Sequence, residues 1–194
     1  MLPALRTVHD MMRDRGYKPR KGYEWVDDQK KMVQKVQNKD MVLWADRKTP
    51  EYDTVMVFFA FEDTLKVQKV RSFLETLEES EVNHAILVFA KKVTPKAKEE
   101  LRNYQVEMFT VSELFKNRTL HHLVPKHETL SPQEVTELLK KYELTSTHEL
   151  PRYRPTDMVV RYYNWPHGTV VRIYRILGNQ QEPSLYYRVV DDKA

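Results

Sequence analysis

Cysteine is absent from the 194 residues of this chain, which excludes a disulfide framework, thiolate chemistry and every cysteine-based zinc site. Glycine is scarce: Gly16, Gly22, Gly168 and Gly178 are all there is, each isolated. Without clustered glycines there is no phosphate-cradling loop, and no Gly-x-Ser-x-Gly turn presents a nucleophilic serine. Long apolar runs are missing too. Nothing approaches the roughly 18 residues that a membrane span needs, and the opening Met-Leu-Pro-Ala-Leu-Arg leads into charged sequence rather than a signal-type apolar core. The expectation is a soluble intracellular chain with no membrane partner, no cofactor and no small-molecule substrate.

What is present is enough to fold. Hydrophobic residues make up 41% and charged residues 31%, a balance that permits a packed core and argues against wholesale disorder. The net charge of +4 permits a nucleic-acid partner without demanding one. Its distribution is more informative. Lys91, Lys92, Lys96, Lys98 and Arg102 form one basic zone, against Glu99 and Glu100. Arg152, Arg154, Arg161, Arg172 and Arg175 form a second, against Asp157.

Leu5, Val8, Met11 and Met12 fall at helical spacing and Gly16 is a natural stop, so the first segment reads as an amphipathic helix to about Tyr17. Val33 and Val36 fit a second helix within residues 18 to 40. The period then changes. Met41 to Trp44 is a short apolar run, and Thr54 to Phe61 (TVMVFFAF) and His84 to Ala90 (HAILVFA) suit strands covered on both faces. Val67, Val70, Phe73, Leu74 and Leu77 mark a helix capped by Asp63 or Thr64. Thr94 and Pro95 open another, running to about Tyr104. Val106 to Thr110 reads as a strand, and Ser112 as the start of a short helix with Leu114 and Phe115. Strands alternating with helices imply an α/β sandwich for residues 1 to about 119.

A second unit follows. Ser131-Pro132-Gln133-Glu134 is a capping-box helix start, with Val135, Leu138, Leu139 and Tyr142 on one apolar face. Leu150-Pro151-Arg152 leads to a short helix capped by Thr156 or Asp157. Gly168 marks a turn, and Thr169 to Ile176 and Ser184 to Val190 read as a pair of strands. A hairpin with two helices at this length can barely bury a core alone, so it is expected to lean on a partner.

Chemistry is hard to assemble from this chain. His121 and His122 with His127 are the first metal-site candidates, yet adjacent histidines on a regular element point to different sides and no second cluster supplies the missing ligands. A metal-dependent nuclease needs converging carboxylates and usually a lysine at alternate strand positions. The nearest approach, Glu62-Asp63-Thr64-Leu65-Lys66, lies at a strand end with the wrong spacing. The zone at 91 to 102 has two readings: a solvated helix face, or a phosphate contact in which Lys91, Lys92, Thr94, Pro95 and Lys96 meet a DNA backbone without reading bases.

Several motifs together resemble a known family. They are Leu123-Val124-Pro125-Lys126-His127, Leu130-Ser131-Pro132-Gln133-Glu134, Leu138-Leu139-Lys140-Lys141-Tyr142, Leu150-Pro151-Arg152, Asp157 to Tyr163, Gly168 to Ile173 and Tyr187-Arg188-Val189-Val190. In order and spacing they are similar to the fifth common subunit of the eukaryotic nuclear DNA-directed RNA polymerases I, II and III, and to the archaeal counterpart of that subunit. Asp14-Arg15-Gly16-Tyr17, Val57-Phe58-Phe59, Ala85 to Val88 and Thr94 to Lys98 extend the resemblance, more loosely, into the amino-terminal part. Met158 stands where the family usually has proline, and Asn164-Trp165-Pro166-His167-Gly168 replaces a glycine-rich approach. These departures fit a divergent, viral or paralogous copy.

The resemblance implies an amino-terminal jaw domain, residues 1–119, with a restriction-endonuclease-like α/β fold lacking the active site and flanking downstream double-stranded DNA. It also implies a small α+β carboxy-terminal assembly domain, residues 120–194, docked on the largest polymerase subunit beside the other subunits. The implied role is non-catalytic, in the nucleus, or in a virion or viral factory for a viral copy. Arginine is favoured at interfaces, and the subunit interface is assigned to Arg152, Arg161, Tyr162, Tyr163 and Arg172.

Overall fold

A computed structural model describes residues 2–21, 41–48, 52–176 and 182–191. The expected helix around Val33 and Val36 lies outside the described residues. The chain divides into two compact units, Met1–Lys116 and Asn117–Ala194, where the sequence reading put the division after residue 119.

The first unit is a mixed α/β sheet with helices on both faces. Among the described residues its elements are α1 (Leu2–Asp14), β1 (Lys18–Pro19), β2 (Met41–Lys48), β3 (Tyr52–Ala60), β4 (Thr64–Leu65), α2 (Val67–Glu79), β5 (His84–Phe89), β6 (Lys92–Val93), α3 (Pro95–Leu101) and β7 (Gln105–Thr110). The strands order as β1-β2-β3-β5-β7. β2 and β3 form an antiparallel pair, while β3, β5 and β7 are parallel. The apolar runs of β3 and β5 follow from this position, because central strands with both faces covered have no reason to alternate. Met56, Phe58 and Ala60 of β3 and Ala85, Leu87 and Phe89 of β5 pack with Val70, Phe73, Leu74 and Leu77 of α2 and with Ala97 and Leu101 of α3. Val55, Val57, Phe59, Ile86 and Val88 are also buried and, by the strand period, face the opposite side. There Arg15, beyond the end of α1, reaches Glu107 of β7. Gly16 ends α1 at φ 84°, a left-handed geometry that glycine adopts at little cost.

Local capping gives way to tertiary pairing at α2. Asp63 and Thr64 do not cap it. Its N-cap is Lys66, which makes no side-chain cap hydrogen bond. Thr64 and Leu65 are drawn instead into a parallel pair with Lys92 and Val93. The helix expected at Ser112 is a turn. Thr110 donates from its N–H and its hydroxyl to the Glu113 carboxylate and accepts from Glu113 N–H, which closes the chain locally and leaves Phe115 53% exposed. α3 stops at Leu101, short of Tyr104.

The second unit holds β8 (Lys126–Thr129), α4 (Pro132–Lys141), β9 (Arg152–Tyr153), α5 (Met158–Tyr163), β10 (Val170–Arg175) and β11 (Ser184–Val190). Its sheet has four strands in the order β8-β10-β11-β9, where a two-stranded hairpin was expected. β8 and β9 are too short and too charged to show a hydrophobic period. β10 and β11 are antiparallel, with Ile173 opposite Tyr186. Leu138, Leu150, Val170 and Val189 form a core, flanked by Leu130, Val135, Leu144 and Tyr187. Ser131 and Glu134 close the expected capping box on α4, and Asp157, rather than Thr156, accepts from Val159 N–H to cap α5.

Candidate functional site

The segment from Lys91 to Lys96 leaves the sheet after β5 and is held by backbone rather than by its side chains. Lys92 N–H donates to Asp63 C=O at 3.0 Å and Thr94 N–H to Leu65 C=O at 3.1 Å, while Val93 and Leu65 are buried beneath. Thr94 caps α3, its hydroxyl oxygen accepting from Ala97 N–H at 3.4 Å, and Pro95 takes the first turn, where no N–H is required. Lys91, Lys92, Pro95 and Lys96 are exposed. Lys91 contacts Asp63 at 2.6 Å, with both side chains about two-thirds exposed, and so wet a pair yields readily to a competing anion. The charge of this layer is polarised. Lys66, Lys91, Lys92 and Lys96 outnumber Glu62 and Asp63 where α2 begins and β5 ends, whereas Glu75, Glu78, Glu79 and Glu81 lie toward the other end of α2, about 20 Å away for a helix of this length. Amines on a loop held in this way can neutralise phosphates without reading bases.

The five interface candidates of the second unit do not form one patch. Arg172 lies mid-strand on β10, its Nη2 3.1 Å from Glu134 Oε1 and its Nη1 3.8 Å from Glu128 Oε2. Hydrogen bonds to Tyr174 and Glu134 hold the guanidinium above its usual range, and the group ties α4 and β8 to β10 instead of standing out from the surface. Tyr162 is only 3% exposed and its hydroxyl accepts from Asn117 Nδ2 at 3.2 Å, so its ring is interior. Tyr163 stacks on Trp165 at 4.8 Å with planes 9° apart. Arg161, half-buried, reaches Met158 Sδ at 3.6 Å. Arg152 is the most open, 3.4 Å from Asp191 Oδ2. Trp165 packs near His127, whose strand position faces away from that of Arg172, which places the Tyr163–Trp165 stack and Arg172 on opposite faces of the sheet.

The histidines behave differently from the expectation. His121 and His122 stack, centroids 4.5 Å apart and planes 28° apart, because they lie in a loop and are freed from the alternation of a strand. His127 is half-buried, 3.0 Å from Tyr153 Oη, and burial pushes its pKa down. Among the described residues no group of three or more His, Cys, Asp or Glu could hold a metal ion.

Three polar clusters escaped sequence reasoning. Arg15, its side chain 3% exposed, donates both Nη groups to Glu107 at 2.7 and 2.8 Å, and His84 Nε2 lies 2.7 Å from Glu107 Oε1. Burial alone would raise the Glu107 carboxyl, but the hydrogen bonds from His84 and Arg15 hold it below its ordinary value. Tyr17 donates to Asp53 at 2.5 Å, and Arg47 meets the same carboxylate at 2.9 Å. Burial, with that hydrogen bond, moves the Tyr17 hydroxyl well above its usual pKa. Asp191, its side chain 3% exposed, gathers His148, Arg152 and His167 at 3.6, 3.4 and 3.5 Å. Each cluster joins residues distant in sequence, as Arg15 and Glu107 are, 92 positions apart. The one available signal was an acid, Glu107, set between apolar neighbours in a strand.

Two family descriptions match the chain: RNA polymerase Rpb5, N-terminal domain, over residues 3–77, and RNA polymerase Rpb5, C-terminal domain, over residues 116–190. The chain belongs to the Rpb5 family of RNA polymerase subunits. Relatives of this Rpb5-family chain include the Dictyostelium discoideum protein named DNA-directed RNA polymerases I, II, and III subunit rpabc1, 31% identical over 181 residues, 90% of this chain and 89% of that protein. The Caenorhabditis briggsae subunit RPABC1 is 29% identical over 182 residues, 88% of this chain and 86% of the relative. Subunit 5A of Arabidopsis thaliana RNA polymerase V is 35% identical over 140 residues, 70% of this chain and 62% of its own. Among solved structures, the MspJI restriction endonuclease in complex with a 27-mer oligonucleotide aligns with a TM-score of 0.38 at 15% identity, over 59% of this chain and 26% of that one.

Proposed function

We propose that this Rpb5-family chain is a non-catalytic common subunit of nuclear DNA-directed RNA polymerases I, II and III. Its amino-terminal unit is a jaw that flanks downstream double-stranded DNA, and its carboxy-terminal unit docks on the largest subunit beside the other polymerase subunits. The Dictyostelium and Caenorhabditis relatives are named as subunits of polymerases I, II and III, which favours the nucleus and gives no support to a viral origin. The observation that carries the DNA reading is the exposed cationic loop Lys91–Lys96, fixed by Val93 and Leu65 at the basic end of a charge-polarised layer. A passive role fits the buried carboxylate Glu107, whose two oxygens are already taken by Arg15 and His84.

The test replaces Lys91, Lys92 and Lys96 with glutamate in the assembled polymerase. Retention of downstream DNA should fall, and the slope of log affinity against log salt should flatten by roughly the number of phosphate contacts removed, up to about 3. An unchanged slope would remove these lysines from the DNA path. Co-purification tests the assembly itself: recovery of the chain without the two large polymerase subunits would support a free-standing nucleic-acid-binding protein or nuclease relative instead.

A further inference from the structure

The outer edge of β11 is incomplete, and the reason is a single residue. Val189 N–H donates outward to Pro151 C=O at 3.0 Å, and Asp191 N–H to Tyr153 C=O at 3.1 Å. Val190, by contrast, exchanges with Thr169 and Gly168 on the β10 side. Alternate residues of a strand present their backbone groups to the same edge, so Leu185 and Tyr187 point outward with Val189. In the parallel register of β9, with Val189 opposite Arg152, the donor for the Tyr187 carbonyl would be residue 151. That residue is proline and has no N–H. β9 therefore pairs only with Val189 and Val190, and among the described residues no strand meets the N–H and C=O groups of Leu185 and Tyr187.

Natural proteins usually blunt such an edge with charge, proline or a covering segment. Here its surroundings are adhesive. On one face Leu185 is 45% exposed and Tyr142, the C-cap of α4, is 49% exposed, the Tyr142 ring 6.0 Å from that of Tyr187. On the other face Arg175 lies 4.8 Å over the ring of Tyr186, and Arg188 5.3 Å over that of Tyr153. Among the described residues no carboxylate pairs with either arginine. The acids next to the strand in sequence are Asp191, directly after it and engaged by His148, Arg152 and His167, and Glu182, exposed just before it. Two copies joined along this edge would set arginine against arginine, which disfavours self-association.

We propose that β11 accepts an added strand along Leu185–Tyr187, supplied by an extended segment of the largest polymerase subunit whose side chains alternate apolar and acidic. The apolar ones meet Leu185 and Tyr142; the carboxylates meet Arg175 and Arg188. This rests on the docking role proposed above and gives it a location and a chemistry.

Amide hydrogen exchange of the full chain, free and within the assembled polymerase, tests it. The Leu185 and Tyr187 amides should slow by at least about tenfold on assembly, while the Tyr186 amide, already directed at β10, should hardly change. Replacing Arg175→Glu together with Arg188→Glu should lower the recovered largest subunit several-fold while circular dichroism shows the free chain still folded, its melting temperature lowered only modestly by the lost contacts to Tyr186, Tyr153 and Arg152 C=O. If this variant unfolds, the exchange result on the native chain decides alone. A wild-type chain that fails to recover the largest subunit removes the docking reading itself. One that recovers it with Leu185 and Tyr187 exchanging as fast as before overturns the added strand. Protection that appears in the free chain with rising concentration, together with a dimer in light scattering, overturns the assigned occupant.

Discussion

Glu107 illustrates what a single residue costs and returns in a buried setting. An isolated carboxylate under α1 would be driven toward neutrality, and it stays ionised because Arg15 and His84 supply three short contacts. Its folded pKa is depressed, so its contribution to stability is fully present above the ordinary carboxylate value of 4.5 and is lost as pH falls through the folded value. Acid melting of the first unit should therefore begin below that value, and a thermal melt across that range will show it. Glu107→Leu removes the carboxylate that faces the buried Arg15 guanidinium and should cost about 3–5 kcal/mol. Adding Arg15→Met should recover most of that loss. If the double variant is as unstable as the single one, the pair is not the source of the cost. None of this was legible in the sequence, because Arg15 and Glu107 are 92 positions apart and neither lies in a motif that names the other.

At the scale of elements, reading was most successful where a local interaction decides the structure. Ser131, Pro132 and Glu134 lie within four residues, and their capping box forms as the spacing predicts. Ser131→Ala should cost about 1 kcal/mol, measured by denaturant unfolding. Glu134→Ala should cost more, because Glu134 also receives Arg172. Equal losses would show that the contact to Arg172 contributes nothing. Reading failed where a distant partner outweighed the local signal. Thr64 is a good cap in isolation, but pairing Leu65 with Val93 buries both side chains, and α2 starts uncapped. β8 and β9 are held to β10 and β11 by backbone bonds, which depend little on side-chain type and leave no pattern to read.

For the whole molecule, the division at Lys116 and the modest size of the second unit set the behaviour. Lys116 and Arg118 are exposed beside the division, and the nearby Leu120 and Leu123 are 72% and 76% exposed. Limited tryptic digestion should cut first at Lys116 or Arg118 and leave two resistant fragments. A first cut inside β3 or β5 would contradict the division into units. A fragment beginning at Asn117 buries a small core around Leu138, Leu150, Val170 and Val189, and domains of this size are marginal alone. It should melt at a lower temperature by itself than within the assembled polymerase, as scanning calorimetry can check.

The sequence by itself determined the class of fold, the helix starts at Thr94 and Ser131, the two doubly covered strands and, through motifs spread over the chain, the family. Each depends on residues that are neighbours or that recur at a fixed period, and such information survives in one dimension. The tertiary structure alone decided which of the five interface candidates face outward, where Glu107 finds its counter-charges and where the ladder of β11 stops. Pro151 stood in plain view as part of a motif, but what it withholds is a hydrogen bond to Tyr187, and that consequence exists only once β9 lies beside β11.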